Sequence, residues 1–331
     1  MTLRTMTLRF QKMIGSLAAL GCFLALGAVP AGADDAMAYQ ALMHGHLEEA
    51  STLLHRQLAA NGSDARAHQL LCRTAYAEDQ PDAAIGECLQ ATRLAPSDAK
   101  HQMWLGRAYG LKASDTLNFM AALKLASRVR EAFERAVQLD PNDVEAVSEL
   151  AEFYISAPSL AGGNTDRAGQ LANGMMPRHP ARAHRLLGLL ARKNGDDQKA
   201  EAEFKAAIAA GNGPEAWIDL ALFYEHKNQK DQVLACVQKA LALDVQRGPV
   251  EVDAASILTT AKRSPEIAEA ALRAYLASSA QTDEAPVPRV HVQLGKLLAK
   301  RGDTAGARNE YNAALQLAPH FEPAQKALDT L

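Results

Sequence analysis

A short phrase returns along the chain and narrows what it can fold into. It reads Ala91-Thr-Arg-Leu94-Ala-Pro96, then Ala136-Val-Gln-Leu139-Asp-Pro141, then Ala314-Leu-Gln-Leu317-Ala-Pro319. A further copy, Ala240-Leu-Ala-Leu243-Asp-Val245, has Val in place of Pro. Proline just past a helix end cannot continue the helix, so the phrase is punctuation. A second phrase sits at presumed helix centres: Leu105-Gly106-x-x-Tyr109, Leu150-Ala151-x-x-Tyr154, Leu220-Ala221-x-x-Tyr224 and Leu294-Gly295-x-x-Leu298. Leu187-Gly188-x-x-Ala191 and Leu71-Cys72-x-x-Ala75 are weaker copies. Its internal spacing is one helical turn, which puts the large residues on one face, and the small residue beside each Leu lets a neighbouring helix come close. Polar turns such as Lys193-Asn-Gly-Asp196, Lys227-Asn-Gln-Lys230 and Lys300-Arg-Gly-Asp303 divide the helices into pairs.

These phrases resemble the tetratricopeptide repeat, in which the first helix carries Trp, Leu-Gly and Tyr, the second Ala and Phe, and Pro closes the unit. Residues 213–245 show it as Trp217, Leu220, Ala221, Tyr224, Val233, Val237 and Ala240; residues 288–319 as Leu294, Gly295, Ala307, Tyr311, Ala314 and Pro319; residues 181–212 as Leu187, Gly188, Ala200, Phe204 and Ala207. The resemblance implies an all-α fold over 34–331, a right-handed superhelical solenoid of antiparallel helix pairs with about eight units. The first unit falls near 35–64, the last near 288–319, the least regular at 250–277, and Phe321 to Leu331 form a capping helix. It also points to a binding role and not to catalysis, but it is specific for the fold and weak for function, because the motif residues are packing residues.

Two stretches depart from the pattern. Between Tyr109 and Phe133 the third unit has about eleven extra residues, read as a long-helix insertion over 111–125. Ser114 or Asp115 suits its N-cap, and the second helix of the unit should run about two turns longer than usual. A loop insertion occupies 156–165. Together they resemble a group of bacterial cell-envelope repeat proteins, a likeness that does not fix a role.

The amino terminus differs in kind. Arg4, Arg9 and Lys12 precede an uncharged apolar run from Met13 to Val29, then Ala31-Gly32-Ala33 and Asp34-Asp35. That order fits a secretory signal peptide, 1–33, cut after Ala33. A retained anchor and a lipid on Cys22 are the alternative fates, and the membrane is a partner only through them. The net charge of −3 offers no general field for nucleic acid.

No nucleophile elbow, phosphate loop, C-x-x-C or zinc-hydrolase motif is present, so no catalytic residue, cofactor or metal is expected. Gly162-Gly163 lacks the strand and Lys of a phosphate loop and reads as a plain loop. His44-Gly45-His46, with His55 nearby, falls at an intra-repeat turn, where exposed polar residues are ordinary. Cys72 and Cys88 lie about equally far from their turn, so antiparallel helices hold them at one height. A disulfide and a pair of small buried thiols both fit; the repeat pattern points Cys88 at the next unit, which favours the second. Leu117, Phe119, Met120, Leu123 and Leu125 in the insertion read as extra core first, and as a partner edge at Phe119 and Met120 second.

The first helices of stacked pairs line a concave face. Counting along the repeats, that groove should hold Arg66, Gln69, Arg73, Lys100, Met103, Arg107, Arg182, Arg185, Leu189, Arg192, Lys193, Ile218, Leu222, Arg289 and Lys296, with Glu145 and Glu152 interrupting. A basic groove favours an acidic segment or a free carboxy terminus. The Asn-and-Lys carboxylate grip of chaperone-binding repeats is not apparent. The reading is a non-catalytic protein- or peptide-binding scaffold exported to the periplasm. A fixed subunit of an envelope or secretion assembly is the alternative, and an enzyme the weakest.

Overall fold

The computed structural model describes residues 31–331, with side chains from Asp35 onward. The expected signal segment, apart from the backbone of 31–33, and Cys22 lie outside the described residues. The described chain is helical and holds no strand. Its helices are α1 (Ala31–Met43), α2 (Leu47–Ala60), α3 (Ala65–Ala77), α4 (Pro81–Leu94), α5 (Ala99–Ser114), α6 (Phe119–Leu139), α7 (Val144–Ser156), α8 (Thr165–Met175) and α9 (Pro180–Lys193). They continue as α10 (Asp197–Gly211), α11 (Pro214–His226), α12 (Lys230–Leu243), α13 (Pro249–Thr260), α14 (Pro265–Leu276), α15 (Val287–Lys300), α16 (Thr304–Leu317) and α17 (Glu322–Asp329). Each odd helix from α1 to α15 packs on the helix that follows it, and α17 lies against α15 and α16. The result is an all-α solenoid of stacked hairpins.

The recurring phrases have visible causes. Pro96 and Pro141 stop the preceding helix, and two residues later Asp98 and Asp143 start the next by accepting two backbone N–H groups each. Stop and start therefore share one short segment. The small residue of the helix-centre phrase is equally specific. A Cβ built on Gly106, Gly188 or Gly295 would lie 2.4, 2.9 or 2.3 Å from the ring of Phe133, Phe204 or Tyr311. In these three pairs the second helix presses an aromatic ring onto the first at a distance that leaves no room for a Cβ. A polar contact recurs beside it: His68–Glu87, His184–Glu203 and His291–Glu310, at 2.6, 2.7 and 2.7 Å, join first to second helices in three repeats.

The insertion in the third unit lengthens both helices of its pair, not the second alone. α5 runs to Ser114, whose hydroxyl donates to the Leu111 carbonyl. α6 then starts at Phe119, capped by Asn118 and not by Ser114 or Asp115, and spans 21 residues against 14 in α4. The tip overshoots its neighbours, since α8 spans only 11 residues. Burial of the insertion's apolar residues is therefore only partial: Leu123 and Leu125 are half-buried, whereas Leu117, Phe119 and Met120 are 102%, 65% and 70% exposed. In the 156–165 loop, Gly162 takes φ +97 and the Gly162 and Gly163 N–H groups donate to Ser159 and Pro158 carbonyls. Those donors are used inside the turn, as a plain loop requires.

The two ends of the array meet. Gly45, in the α1–α2 turn, has φ +76, and a Cβ there would lie 2.7 Å from Val287 Cβ and 2.9 Å from Pro288 Cδ. His44 Nδ1 stands 2.8 Å from Gln281 Oε1, and Arg289 bonds Asp79 at 3.2 Å. Of the turn expected to be exposed, Gly45 is covered by the start of α15 and His44 is half-buried, while His46 stays exposed. Buried residues of α1 to α3 accordingly share one apolar cluster with those of α15 to α17.

Candidate binding face

Charged residues line the concave side of successive first helices. Arg73 on α3 and Arg107 on α5 follow the small residue of the helix-centre phrase, Arg185 on α9 stands one turn earlier, and Glu149 on α7, Asp219 on α11 and Asp253 on α13 stand between those registers; together they form a column. At the first end of this column, Arg73 grips Asp283 with two parallel hydrogen bonds, Nε to Oδ2 at 2.6 Å and Nη2 to Oδ1 at 2.9 Å. Asp283 is 3% exposed. Burial alone would lower the Arg73 guanidinium, but the hydrogen bond and charge of Asp283 hold it above its usual range. The same guanidinium lies 5.4 Å from the Tyr39 ring and 5.0 Å from that of Trp104. Arg107 lies 4.8 Å from the Trp104 ring, and Tyr76 meets that ring edge-on. Cations and rings alternate here, each cation close to a ring.

Arg107 reaches Glu149 at 2.8 Å, Glu145 at 2.6 Å and Glu284 at 3.4 Å. Burial opposes its charge, and Glu149 and Glu145 outweigh that. Asp283 and Glu284 belong to the segment between α14 and α15, held in shape by the buried Tyr275, whose hydroxyl accepts from the Thr282 N–H at 2.9 Å and donates to the Ala285 carbonyl at 2.7 Å. A cavity of about 370 Å³ opens beside this contact, lined by Tyr39, Arg66, Lys100, Met103 and Trp104 among others. A second, of about 580 Å³, lies beyond Arg107 and is lined by Tyr76, Gly110, Phe133, Glu152 and Phe153 among others.

Further along, the face changes sign. Arg185 Nε lies 2.9 Å from both Asp219 oxygens, and its guanidinium also bonds Glu152. Burial pushes the Asp219 carboxyl up against the pull of Arg185. Asp253 is open to water, yet the concave wall surrounds it; that enclosure and the charge of Asp219 push its carboxyl up to about 6.

The basic groove expected from the sequence is thus confined to the first end. Arg66 and Lys100 are exposed there, with Met103 lining the same cavity. Arg182 is exposed and Arg192 half-buried, while Leu189 and Leu222 pack against the core. Ile218 is no groove residue: α13 packs over α11 and closes it into the core. Sequence reasoning missed Tyr39, Trp104, Glu149, Asp219, Asp253, Asp283 and Glu284. The first five lie on first helices and were open to repeat counting; Asp283 and Glu284 were not.

Cys72 and Cys88 form a disulfide, with Cα atoms 5.1 Å apart, in place of two free thiols. Cys72 occupies the slot that Gly188 and Gly295 fill, and Cys88 replaces the aromatic that presses on it, at the same spacing as Gly188–Phe204 and Gly295–Tyr311. Cys88 therefore faces its own partner helix and not the next unit. Cys236 is free and buried, and burial pushes its thiol up to about 11. Among the described residues no His, Cys, Asp or Glu cluster could hold a metal, and no helix is long and apolar enough to cross a membrane.

Models of the tetratricopeptide repeat match residues 171–214 and 288–321. The chain carries tetratricopeptide repeats. Yeast Tom70 is similar in structure, with a TM-score of 0.53 at 17% identity, over 92% of this chain and 64% of that one. A tetratricopeptide protein of Thermus thermophilus aligns with a TM-score of 0.46 at 20% identity, over 69% of this chain and 99% of that one. The Tom70 likeness bears on fold alone. No curated protein matches the sequence. Tetratricopeptide arrays are scaffolds for protein contact, their stacked first helices making an extended concave surface.

Proposed function

We propose that the chain is an exported, non-catalytic scaffold of the periplasm that holds a protein or peptide segment on its concave face. The observation that carries this is the pair of cavities flanking the Trp104–Arg107 shelf, walled by aromatic and charged side chains from several repeats. Such walls offer apolar anchoring with a few directed polar contacts, which is what a bound segment needs. Export is supported by the leader-like first 33 residues and by a disulfide, a bond that persists in oxidising compartments. A photo-crosslinking side chain at Lys100, in the protein expressed in its own host, tests the face. Discrete adducts from the periplasmic fraction, absent when the crosslinker is at exposed Lys239, support the reading. Equal labelling from both positions overturns it.

A second reading has its own observation. Leu117, Phe119 and Met120 form an exposed apolar tip, which suits a fixed place in an envelope or secretion assembly. Replacing Phe119 and Met120 by Ser should release the protein from any large complex while leaving helicity unchanged. Unaltered co-migration argues against this reading.

A further inference from the structure

We infer that the Asp283–Glu284 turn is an internal occupant of a carboxylate subsite at Arg73 and Arg107, and that a partner segment with consecutive carboxylates binds there by displacing it and parting the last repeat from the first. The inference rests on the concave-face reading above and adds the chemistry of the ligand and the cost of entry.

The chain itself shows what the subsite accepts. Asp283 fills the Arg73 fork, and Glu284 reaches Arg107 from the adjoining residue. Two consecutive carboxylates thus meet two guanidiniums one repeat apart, with Trp104 between them. Room remains beside them. The cavity of about 370 Å³ continues from Asp283 towards Arg66 and Lys100. Arg66 bonds the neutral Gln69 side chain and stands 6.0 Å from the Tyr39 ring, so no carboxylate answers it among the described residues, and Lys100 has no ion pair there either. A longer acidic segment would engage cations that the internal turn leaves unanswered.

The turn is also the weaker competitor at one of its two contacts. Glu284 lies at 3.4 Å from Arg107, against 2.6 Å for Glu145 and 2.7 Å for Glu149, and its side chain is 56% exposed. Enclosure in the groove raises the Glu284 carboxyl, and Glu145 beside it raises it further despite Arg107. The segment around it is stitched to the end of α14, through the buried Tyr275 and through the Gln281 amide on the Leu276 carbonyl, so it leaves the groove together with that helix end. Its departure removes Asp283 from Arg73 and frees the His44–Gln281 and Gly45–Val287 contacts that close the array.

The test uses fluorescein-labelled hexaglutamate, with hexalysine as the control, in anisotropy titrations of the full oxidised chain. Removing the internal competitor should tighten hexaglutamate binding about tenfold, since a site masked most of the time gains affinity when unmasked. Glu284→Gln provides that with Arg73–Asp283 intact; Asp283→Asn with Glu284→Gln extends it. Arg107→Gln should weaken the same binding about tenfold. In the wild type, saturating hexaglutamate should speed hydrogen exchange across 278–286. Equal affinity in wild type and Glu284→Gln, or exchange at 278–286 unchanged at saturation, overturns the inference even if Asp283→Asn folds poorly. Failure of hexaglutamate to bind any folded variant also overturns it, while crosslinks from Lys100 would leave the scaffold reading standing. Absence of those crosslinks, with hexaglutamate still bound and exchange at 278–286 still raised, would sink the scaffold reading and leave the carboxylate subsite in place.

Discussion

The first end and the middle of the concave face both present half-buried arginines and answer them differently. At the first end Arg73 is answered by a carboxylate 210 residues away, and Arg107 is held by Glu149 and Glu145 of the next unit with Glu284, 177 residues away, as a further and longer contact. In the middle Arg185 is answered by Asp219 and Glu152, 34 and 33 residues away. The second arrangement is ordinary for a stack, in which each unit touches its neighbours and stability adds along the line. The first arrangement ties unit eight to units two and three, so the array has an additional, non-local constraint. The lesson is that repeat counting predicts which face of the array a residue takes, whereas the electrostatics of that face depend on what the superhelix brings round to meet it.

The largest effect that separates the two ends is expected at Arg73. Arg73→Ala strands the Asp283 carboxylate, which should cost about 3–5 kcal/mol. Equilibrium denaturation of the oxidised protein measures it, and hydrogen exchange should rise at both 35–47 and 278–290. Arg73→Met with Asp283→Leu should recover most of the loss, because two apolar groups leave no unpaired charge. A cost near that of an exposed pair, about 0–1 kcal/mol, would mean the ends are held by apolar contact alone.

Next comes the Cys72–Cys88 bond, on the helix that carries Arg73. It closes a loop of sequence separation 16 where later repeats rely on a ring against glycine. Its loss in Cys72→Ser should cost about 3 kcal/mol. Reductant should loosen the first end and leave the α15–α16 hairpin protected. Equal loosening of both would contradict the local role. A smaller effect is expected in the middle, where a double-mutant cycle on Arg185 and Asp219 should give a coupling of about 1–3 kcal/mol with no change in exchange at 278–290.

Much of this fold was legible because its signals are local. Pro96 and Pro141 with the Asp caps behind them, and the glycines under Phe133, Phe204 and Tyr311, each express a constraint within one or two helices. The disulfide was legible too, had the Gly188–Phe204 spacing been carried over to Cys72 and Cys88. The concave carboxylate Asp219 stands one residue beyond Ile218, the position that the same counting selects from Arg185, so a shift of one residue along α11 hid it. Asp283 and Glu284 lie in a loop without a repeat position. Their place depends on the summed rotation of all preceding pairs, which no window of sequence contains. The exposed tip escapes sequence reasoning for a related reason: the period puts Leu117 and Met120 on one stripe, but burial needs a neighbour of equal length.

The smallest expected effect concerns Asp253, the last member of the column. Its carboxyl is pushed up to about 6 from an ordinary 3.8 by enclosure and by Asp219. A raised acid binds more protons in the folded chain than in the unfolded one between those values, so stability falls as pH rises through that window. The cost of the ionised form is present in full above about pH 6 and fades as pH drops towards 4. Asp253→Asn removes it, and because the group is open to water the gain is modest, about 2 °C in Tm near neutral pH. Melting curves of both proteins from about pH 4 to pH 8 should show that advantage shrink on the acid side. An advantage independent of pH would mean that Asp219 and Asp253 do not sense each other across the repeat. The middle of the face would then be a row of separate ion pairs, and the contrast with the latched end would rest on chain topology alone.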